Sequence, residues 1–517
     1  MNLNKLFTTL RQRKNTPERI QQRQSKRRKR YTHALEQFLD GHQPAVRLSG
    51  AYTLANLTDE WLTDTSLPEQ VRREEAQAII DALTGCIRTP YPLAQKRQVL
   101  QSGEAPEGYE GDFTHDQEAL REEQLVRRTV FMEFSRRLAA VAESTEKDNE
   151  DDQRTVPPIS PMWADLRFDF GGAPIFYPLR QLHFQNADFA SATFYGPADF
   201  FGATFHGDTS FSAAQFTADA SFHGANFTGE ADFSDAVFSA AADFAVSAFK
   251  SDADFSRLNT AGIASFATVT FDGNAVFTAS TFHDEAHFAA SVFNRPAVFS
   301  KSLFGGAARF AGVVTKQSAM FSNVRFAGAA DFSGASFTQF ADFGGARFDG
   351  DATFSRASFI ALPRTSYEMD FPQYANFGHA AFAQDADFSE ATFTASVGFG
   401  RVTFAGAVSF NGASFEGAYF ADATFGQGAD FRQTSFMYAE PSFEALERRP
   451  RRARFSAQAD PQDYLFGTRA ESPYGFSYGE AELLNRTFVL PIGAVLYDPD
   501  SWDEEKQEYT RVSEPAQ

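Results

Sequence analysis

The sequence of 517 residues is short of several features, and each shortage excludes a class of protein. Its one cysteine, Cys86, excludes an intramolecular disulfide framework and a multi-cysteine metal site. No apolar run approaches the roughly 18 to 20 residues that a membrane span needs, and the N-terminus lacks the apolar stretch of a signal peptide. These shortages predict a cytoplasmic protein without a transmembrane segment.

Charge is distributed unevenly along a chain whose formal net charge is −20. Residues 1–30 hold eleven lysines and arginines and one acid, whereas residues 184–436 hold 25 acidic and 12 basic residues. The basic head, residues 1–30, contains a run that favours contact with nucleic acid or an anionic membrane surface through phosphate groups. This run consists of Lys26, Arg27, Arg28, Lys29 and Arg30. A solvated tail that keeps the chain soluble explains the same residues.

Apolar residues between residues 31 and 142 recur with the period of an amphipathic helix. One stripe comprises Leu48, Ala51, Tyr52 and Ala55, and another Val126, Val130, Phe131, Phe134 and Leu138. We therefore predict a helical module over residues 31–142. A run of acids and prolines over residues 143–160 predicts a solvated linker after it.

Phenylalanine is abundant, with 59 residues against 15 tyrosines and 3 tryptophans. One register of phenylalanines steps by eleven from Phe189 to Phe354. A second register follows five residues behind the first, and Thr260 and Thr315 fill its two gaps. Fixed periodicity over such a length is typical of a solenoid.

The spacing within one repeat predicts how the coil is built. In residues 231–238, Ala-Asp-Phe-Ser-Asp-Ala-Val-Phe, a small residue and a phenylalanine lie two apart, so both point inward from an extended segment. The residue between them points outward. Four such faces would close a coil of 22 residues, which stacks phenylalanine on phenylalanine at about 4.8 Å.

This repeat resembles that of the pentapeptide-repeat family, whose unit is a small residue, a polar residue, a central Leu or Phe and two variable positions. The resemblance implies a mostly β fold, a right-handed quadrilateral β-helix solenoid, built here from 11-residue double units. We expect the solenoid over residues 161–436. A C-terminal cap and acidic tail would follow over residues 437–517, because the sheet edges of a terminal coil need covering.

The predicted helical module also carries a resemblance. Residues 30–37, Arg-Tyr-Thr-His-Ala-Leu-Glu-Gln, and residues 45–54 are similar to the HEAT-like segment that precedes pentapeptide repeats in many actinobacterial proteins. One or two membrane helices often come before that segment in those proteins, and none is found in this sequence.

The repeat pattern is interrupted at residues 360–370. The first register resumes at Phe377, one residue later than 22 residues after Phe354. We predict a loop with one inserted residue that bulges from the coil. Such loops bind partners in some solenoids and are tolerated insertions in others.

The outward residue before a first-register phenylalanine is often aspartate, and stacked coils would place these carboxylates in two acidic files. The predicted interaction files comprise Asp188, Asp199, Asp232, Asp243, Asp254, Asp331 and Asp342, and the same position is aspartate at Asp387 and Asp430. Capping of neighbouring backbone groups and solubility explain the same residues. The family resemblance implies a second meaning, because certain pentapeptide-repeat proteins look like duplex DNA and occupy the DNA-binding saddle of type II topoisomerases.

These patterns predict a non-enzymatic scaffold that needs no cofactor or metal and acts on no small-molecule substrate, because a bore filled by Phe and Ala offers no convergent polar groups. The solenoid would be a rigid spacer or docking face. The helical module or basic head would select a protein partner that the sequence does not identify. The alternative is an acidic DNA mimic that binds and regulates a type II topoisomerase (gyrase).

Overall fold

The structure, a computed structural model, describes residues 16–40, 43–139, 163–360, 375–445 and 451–517. The chain divides into two units, the first Met1–Asp232 and the second Phe233–Gln517. The predicted linker, residues 143–160, lies outside the described residues, as do residues 1–15 of the basic head and most of the predicted 360–370 loop.

The first unit begins with helices, as the apolar stripes predict. They are α1 (Pro17–Phe38), α2 (Pro44–Leu62), α3 (Glu69–Arg88), a 3-10 turn (Pro92–Ala94), α4 (Arg97–Leu100) and α5 (Phe113–Ala139). Proline opens α1 and α2, where its missing N–H would have no partner anyway. No helix in the described part of the chain is long and apolar enough to cross a membrane.

Two details of the helices differ from the sequence-based expectation. The boundary predicted between residues 30 and 31 lies inside α1, which continues through the basic run because Ala34 and Phe38 in its last turns are buried. In α2, Tyr52 is 46% exposed, and the buried stripe instead includes Leu54 and Trp61. The stripe predicted for α5 is buried throughout.

Helix α5 covers the aromatic end of the first coil. The ring of Phe131 lies 4.7 Å from that of Phe170, and the ring of Phe134 lies 5.0 Å from that of Phe168. All four side chains are buried. The helical module therefore supplies the apolar surface that the first layer of rings would otherwise expose to water.

The coils have four faces, named I to IV in chain order, and faces I and III carry the first-register phenylalanines. In the first unit, face I holds Ala198–Asp199 and Ala220–Ser221; face II holds His183–Gln185, Thr204–His206 and Asn226–Phe227; face III holds Phe168–Asp169, Ala187–Asp188, Thr209–Ser210 and Ala231–Asp232; and face IV holds Pro174–Ile175, Thr193–Phe194 and Gln215–Phe216. Strands of one face pair in parallel.

The second unit repeats the same four faces. Face I holds Ala242–Asp243, Ala264–Ser265, Ala286–His287, Ala308–Arg309, Ala330–Asp331, Ala352–Thr353, Ala386–Asp387, Val408–Ser409, Ala429–Phe436 and Tyr464–Thr468. Face II holds Ala248–Phe249, Thr270–Phe271, Val292–Phe293, Val314–Thr315, Ser336–Thr338, Ser358–Ile360, Thr392–Gly398 and Ser414–Tyr419. Face III holds Ala253–Asp254, Ala275–Val276, Ala297–Val298, Ala319–Met320, Ala341–Asp342 and Ala375–Asn376. Face IV holds Val237–Phe238, Asn259–Thr260, Thr281–Phe282, Leu303–Phe304, Arg325–Phe326, Arg347–Phe348, Ala381–Phe382, Thr403–Phe404, Thr424–Phe425, Arg454–Ser456 and Val495–Tyr497.

The coil geometry confirms the predicted solenoid. Ala242 pairs in parallel with Ala264, 22 residues further on. The ring of Phe288 stacks on that of Phe310 with centroids 4.8 Å apart, and it meets the ring of Phe299, on the opposite face of the same coil, edge to face. One phenylalanine and one small residue per face therefore fill the bore of a regular coil, and Thr260 and Thr315 take the place of two phenylalanines.

The predicted single-residue insertion is wrong. Ala341 pairs with Ala375 and Asp342 with Asn376, so partners lie 34 residues apart instead of 22. The chain between Ile360 and Ala375 is therefore twelve residues longer than the regular repeat requires. An insertion of twelve residues equals one eleven-residue period plus one residue. In the sequence, the phenylalanine register is therefore displaced by a single residue.

Parallel stacking continues beyond residue 436, where the cap was predicted to begin. Phe425 stacks on Phe455 at 4.5 Å, and Ala429 pairs with Tyr464. The remaining strands are antiparallel pairs: Glu444–Ala445 with Arg451–Arg452, Tyr478–Leu483 with Arg486–Pro491, and Trp502–Asp503 with Glu508–Tyr509. Two 3-10 turns accompany them, Pro461–Asp463 and Pro499–Ser501.

Candidate functional site

The aspartates of the predicted acidic files support the turns that follow them. Asp188 Oδ1 accepts a hydrogen bond from the Ala190 amide at 2.8 Å, just before Ser191 takes a positive φ of 57°. The amide two residues later donates in the same way to the carboxylates of Asp199, Asp243, Asp254, Asp331 and Asp342. Because these bonds stabilise an unfavourable turn, the recurrence of aspartate has a structural cause.

The files are interrupted within each unit. On face III of the first unit, Ser210 stands between Asp188 and Asp232, and on face I Arg180 forms a salt bridge with Asp199. In the second unit, face III carries three apolar side chains between Asp254 and Asp342, namely Val276, Val298 and Met320. Face I carries Ser265, His287 and Arg309 between Asp243 and Asp331.

The predicted anionic-partner run lies on α1, where intramolecular carboxylates engage its arginines. Arg27 Nη1 lies 2.7 Å from an Asp64 carboxylate oxygen. Arg28 contacts Glu75 and Arg30 contacts Glu60 in the same way, while Lys26 and Lys29 are exposed. The arginines therefore help to attach α1 to its neighbouring helices.

The second unit contains an acidic groove of about 1160 Å³ along face I and the corner that precedes it. Six aspartates line it, and its described lining residues include no lysine or arginine. They are Asp331, Asp351, Asp385, Asp387, Asp430 and Asp463. Alanine, glycine, serine and threonine form most of the remaining surface, so this groove presents negative charge over small side chains.

Close packing of the coil corners keeps these side chains small. A Cβ on Gly350 would lie 2.7 Å from the carbonyl carbon of Gly328, one coil earlier. A Cβ on Gly406 would lie 2.5 Å from the carbonyl carbon of Gln384. Larger residues therefore do not fit at these corners, and the neighbouring aspartate side chains project from a surface of small residues.

The six carboxylates differ in their existing bonds. Asp385 accepts from the Ala407 amide, and Asp387 accepts from the Ser389 amide. Arg432 forms two hydrogen bonds with Asp430 at 2.8 and 3.0 Å. Burial acts to raise the pKa of Asp430, but hydrogen bonds from Arg432 and Asn411 outweigh it, and the pKa lies below its ordinary value.

Asp351 and Asp463 are the carboxylates of the groove most available to a ligand. Both are exposed, and neither carboxylate has a hydrogen bond or ion pair with a residue that the structure describes. A cation that approached them would therefore displace no intramolecular partner.

The sequence named Asp331 as an interaction residue, and it placed Asp387 and Asp430 in the same series of aspartates before first-register phenylalanines. Asp351 belongs to the corner tripeptide Asp349-Gly350-Asp351, whose x-Gly-Asp pattern is the signal that would have identified it. Asp463 lies in a 3-10 turn beyond the regular repeats, so the repeat spacing does not predict its position.

Parallel strands paired 22 residues apart around a Phe-filled bore define a β-solenoid repeat protein, here with an N-terminal group of helices. The model of the family described as Pentapeptide repeats (9 copies) matches residues 180–226, 316–359 and 388–435. The chain therefore contains pentapeptide repeats over the matched residues. No curated protein and no solved structure matches it.

Proposed function

We propose that this chain is a non-enzymatic scaffold that holds a protein partner in the acidic groove of the second unit. The partner would offer an extended segment rich in arginine or lysine. The observation that carries the proposal is the groove itself, in which six carboxylates and no described cation line about 1160 Å³. A surface of one sign attracts and orients a segment of the opposite sign.

The dimensions of the groove favour an extended segment. Six face I strands contribute to its lining, from Ala330–Asp331 to Tyr464–Thr468. At about 4.8 Å per strand the groove is roughly 24 Å long, which corresponds to about seven residues of extended chain. Long Arg and Lys side chains would reach the aspartates from a backbone lying on the small floor residues.

The chemistry of the lining supports docking more than catalysis. Catalytic pockets combine groups of different kinds, such as a nucleophile, a base and an oxyanion donor. The described lining of the acidic groove offers one kind of ionisable group, the carboxylate, over a floor of small residues.

The ion pairs that the basic run already forms also support the acidic groove as the docking surface. Arg27, Arg28 and Arg30 already have carboxylate partners, so presenting them to an anionic partner would cost their present ion pairs. The carboxylates of Asp351 and Asp463 have no such bonds to break among the described residues. We therefore propose the groove, ahead of the basic head, as the docking surface.

The test uses the full chain and a labelled synthetic peptide of alternating Arg and Gly, measured by fluorescence anisotropy. The double variant Asp351→Asn, Asp463→Asn should weaken binding by roughly 10-fold or more, at about 1 kcal/mol per charge pair. The control Glu480→Gln, Glu482→Gln removes the same charge from exposed positions of another strand pair and should leave the affinity almost unchanged. Equal losses in both double variants would show general charge attraction and overturn the assignment of the groove.

The topoisomerase alternative is a special case in which the cationic surface is a DNA-binding saddle. It requires long files of carboxylates, whereas Val276, Val298 and Met320 interrupt face III in the second unit. Purified chain should then inhibit supercoiling by a type II topoisomerase, and added salt should weaken the effect. Lack of inhibition at about micromolar protein would remove this alternative without affecting the peptide-binding test.

A further inference from the structure

A second pocket, of about 490 Å³, lies in the first unit where the segment around α4 faces a coil corner. Residues 94–102 form one side of it, and residues 195–197 with 217–218 form the other. Its described lining includes one charged side chain, Arg97. Because no carboxylate accompanies that arginine in the lining, this pocket carries a positive charge.

Arg97 differs from neighbouring arginines in having no partner among the residues that the structure describes. Arg88 forms a salt bridge with Asp169, and Arg127 forms one with Glu123. Arg97 is half-buried and forms no hydrogen bond or ion pair with any residue that the structure describes, and its Nε atom is fully covered. Burial lowers the pKa of Arg97, because no carboxylate in the described part of the chain compensates for the lost water.

The coil corner leaves space for this guanidinium. A Cβ on Gly196 would overlap Arg97 Nη1, and the φ of Gly196 is +80°. The Gly196 amide donates to Thr217 Oγ1 at 3.1 Å, which fixes the corner. Any side chain at this position would therefore displace the guanidinium.

The remaining lining adds neutral polar groups to the single charge. Gln98 and Gln101 are exposed on one side, and the half-buried Tyr195 lies on the other. Amides and hydroxyls donate hydrogen bonds without opposing an anion. The volume is within the range typical of small-molecule pockets.

We propose that the Arg97 pocket binds the oxyanion of a small molecule, a carboxylate or a phosphate, with Arg97 as its cationic anchor. A planar guanidinium forms two parallel hydrogen bonds with either group, and partial burial strengthens them. The bound oxyanion would be the counter-ion that Arg97 lacks among the described residues. This site is independent of the acidic groove, which lies in the other unit.

The experiment titrates the full chain separately with inorganic phosphate and with succinate, following Arg and Gln side-chain resonances by NMR and Tm by calorimetry. At least one of the two anions should raise Tm and shift these resonances saturably below about 10 mM. Arg97→Gln should abolish both effects. Arg128→Gln, which removes an exposed arginine of α5, should retain them.

Two further variants keep the proposal falsifiable if Arg97→Gln does not fold. Arg97→Lys keeps the charge but loses the bidentate geometry, so binding should weaken by about 10-fold. Gly196→Ala should abolish binding by displacing the guanidinium. Unchanged binding in Arg97→Lys and Gly196→Ala would overturn the proposal, as would the absence of saturable shifts with both anions. A response to one anion alone would support it and identify the class of ligand.

Discussion

The helical module and the coils of the second unit bury different kinds of polar side chain. In the module, Arg127 is 2% exposed and is held by Glu123, which also binds Arg47. Over the described residues of 233–445, the buried polar side chains are serines and threonines alone. The module therefore has a core with ionic contacts that occur once, whereas the coils repeat one apolar layer.

This difference determines how each region should respond to change. A unique ionic contact has no substitute nearby, and its contribution depends on protonation. A repeated ring layer does not titrate, and each layer depends on the layers before and after it. Cavity-forming substitutions should therefore report on the coils, and charge-removing substitutions should report on the module.

Phe288→Ala should produce the largest effect. The Phe288 ring is fully buried and stacks on Phe266 at 4.9 Å and on Phe310 at 4.8 Å. Backbone ladders on both sides hold the coil spacing, so the cavity cannot collapse, and the loss should approach 5 kcal/mol. Hydrogen exchange of the coils around residue 288 measures the loss as a local opening free energy. Phe201→Ala, at a ring 41% exposed, is the control and should cost much less. A loss at Phe288 as small as the control would contradict the rigid-stack interpretation.

Glu123→Gln should destabilise the helical module by about 3 kcal/mol, because it leaves Arg127 and Arg47 without their shared counter-ion. Burial acts to raise the pKa of Glu123, but the two arginines outweigh it and lower the pKa below 4.5. Its stabilising contribution is therefore complete above about pH 4.5 and is lost as the pH falls through the lowered pKa. Urea unfolding of the wild type and the variant at pH 7 and pH 4 measures the difference, which should shrink at the lower pH.

The control for this variant is Glu118→Gln, an exposed glutamate on the same helix. It should change the unfolding free energy by no more than about 0.5 kcal/mol. If the two glutamates proved equivalent, the buried ion pair would not be what distinguishes the module from the coils.

The bore could be predicted from sequence because each coil position is specified by a local rule. A small residue and a phenylalanine two apart determine which side chains point inward, and the period of eleven determines the register. Periodicity does not give the length of an insertion, as the segment between Phe354 and Phe377 shows. An insertion of one period plus one residue gives the same apparent displacement as an insertion of one residue.

The sites could not be predicted in the same way, because they combine segments that no period relates. The acidic groove joins Asp351 from a coil corner with Asp463 from the C-terminal segment. The Arg97 pocket joins α4 with the corner at Gly196, about a hundred residues later. The partners of the basic run, among them Asp64, likewise lie on parts of the chain that sequence spacing does not connect with it.

Thr315→Val should stabilise the coils by about 1 kcal/mol. Thr315 replaces a phenylalanine of the second register, is 1% exposed, and its Oγ1 has no hydrogen-bond partner in the described structure. Valine has nearly the same shape and removes a buried hydroxyl with an unmet hydrogen bond. Thr434→Val is the matched control, because the buried Thr434 hydroxyl donates to the Phe431 carbonyl at 2.9 Å. It should destabilise the chain, and calorimetric Tm shifts of the same sign for both variants would contradict the argument.

The smallest expected effect concerns two half-buried histidines in the coils of the first unit, which lie next to the bore residues Phe184 and Phe205. His183 and His206 stack with centroids 5.8 Å apart, and His183 Nδ1 and His206 Nε2 are buried without a hydrogen-bond partner among the described residues. Burial lowers the pKa of both rings below 6.5, and at His206 the proximity of His183 lowers it further. The unfolded chain therefore binds protons first, so stability should be highest above pH 6.5 and should fall as the pH drops below it.

Both rings are half-exposed, so solvent screens much of the effect, and the expected change in Tm between pH 7.5 and pH 5.5 is a few degrees. His206→Gln should reduce this slope, because it removes the second ring and its proton. His115→Gln, at an exposed position of α5, should leave the slope unchanged. A slope that His206→Gln does not alter would show that this histidine pair does not contribute to the pH dependence of stability.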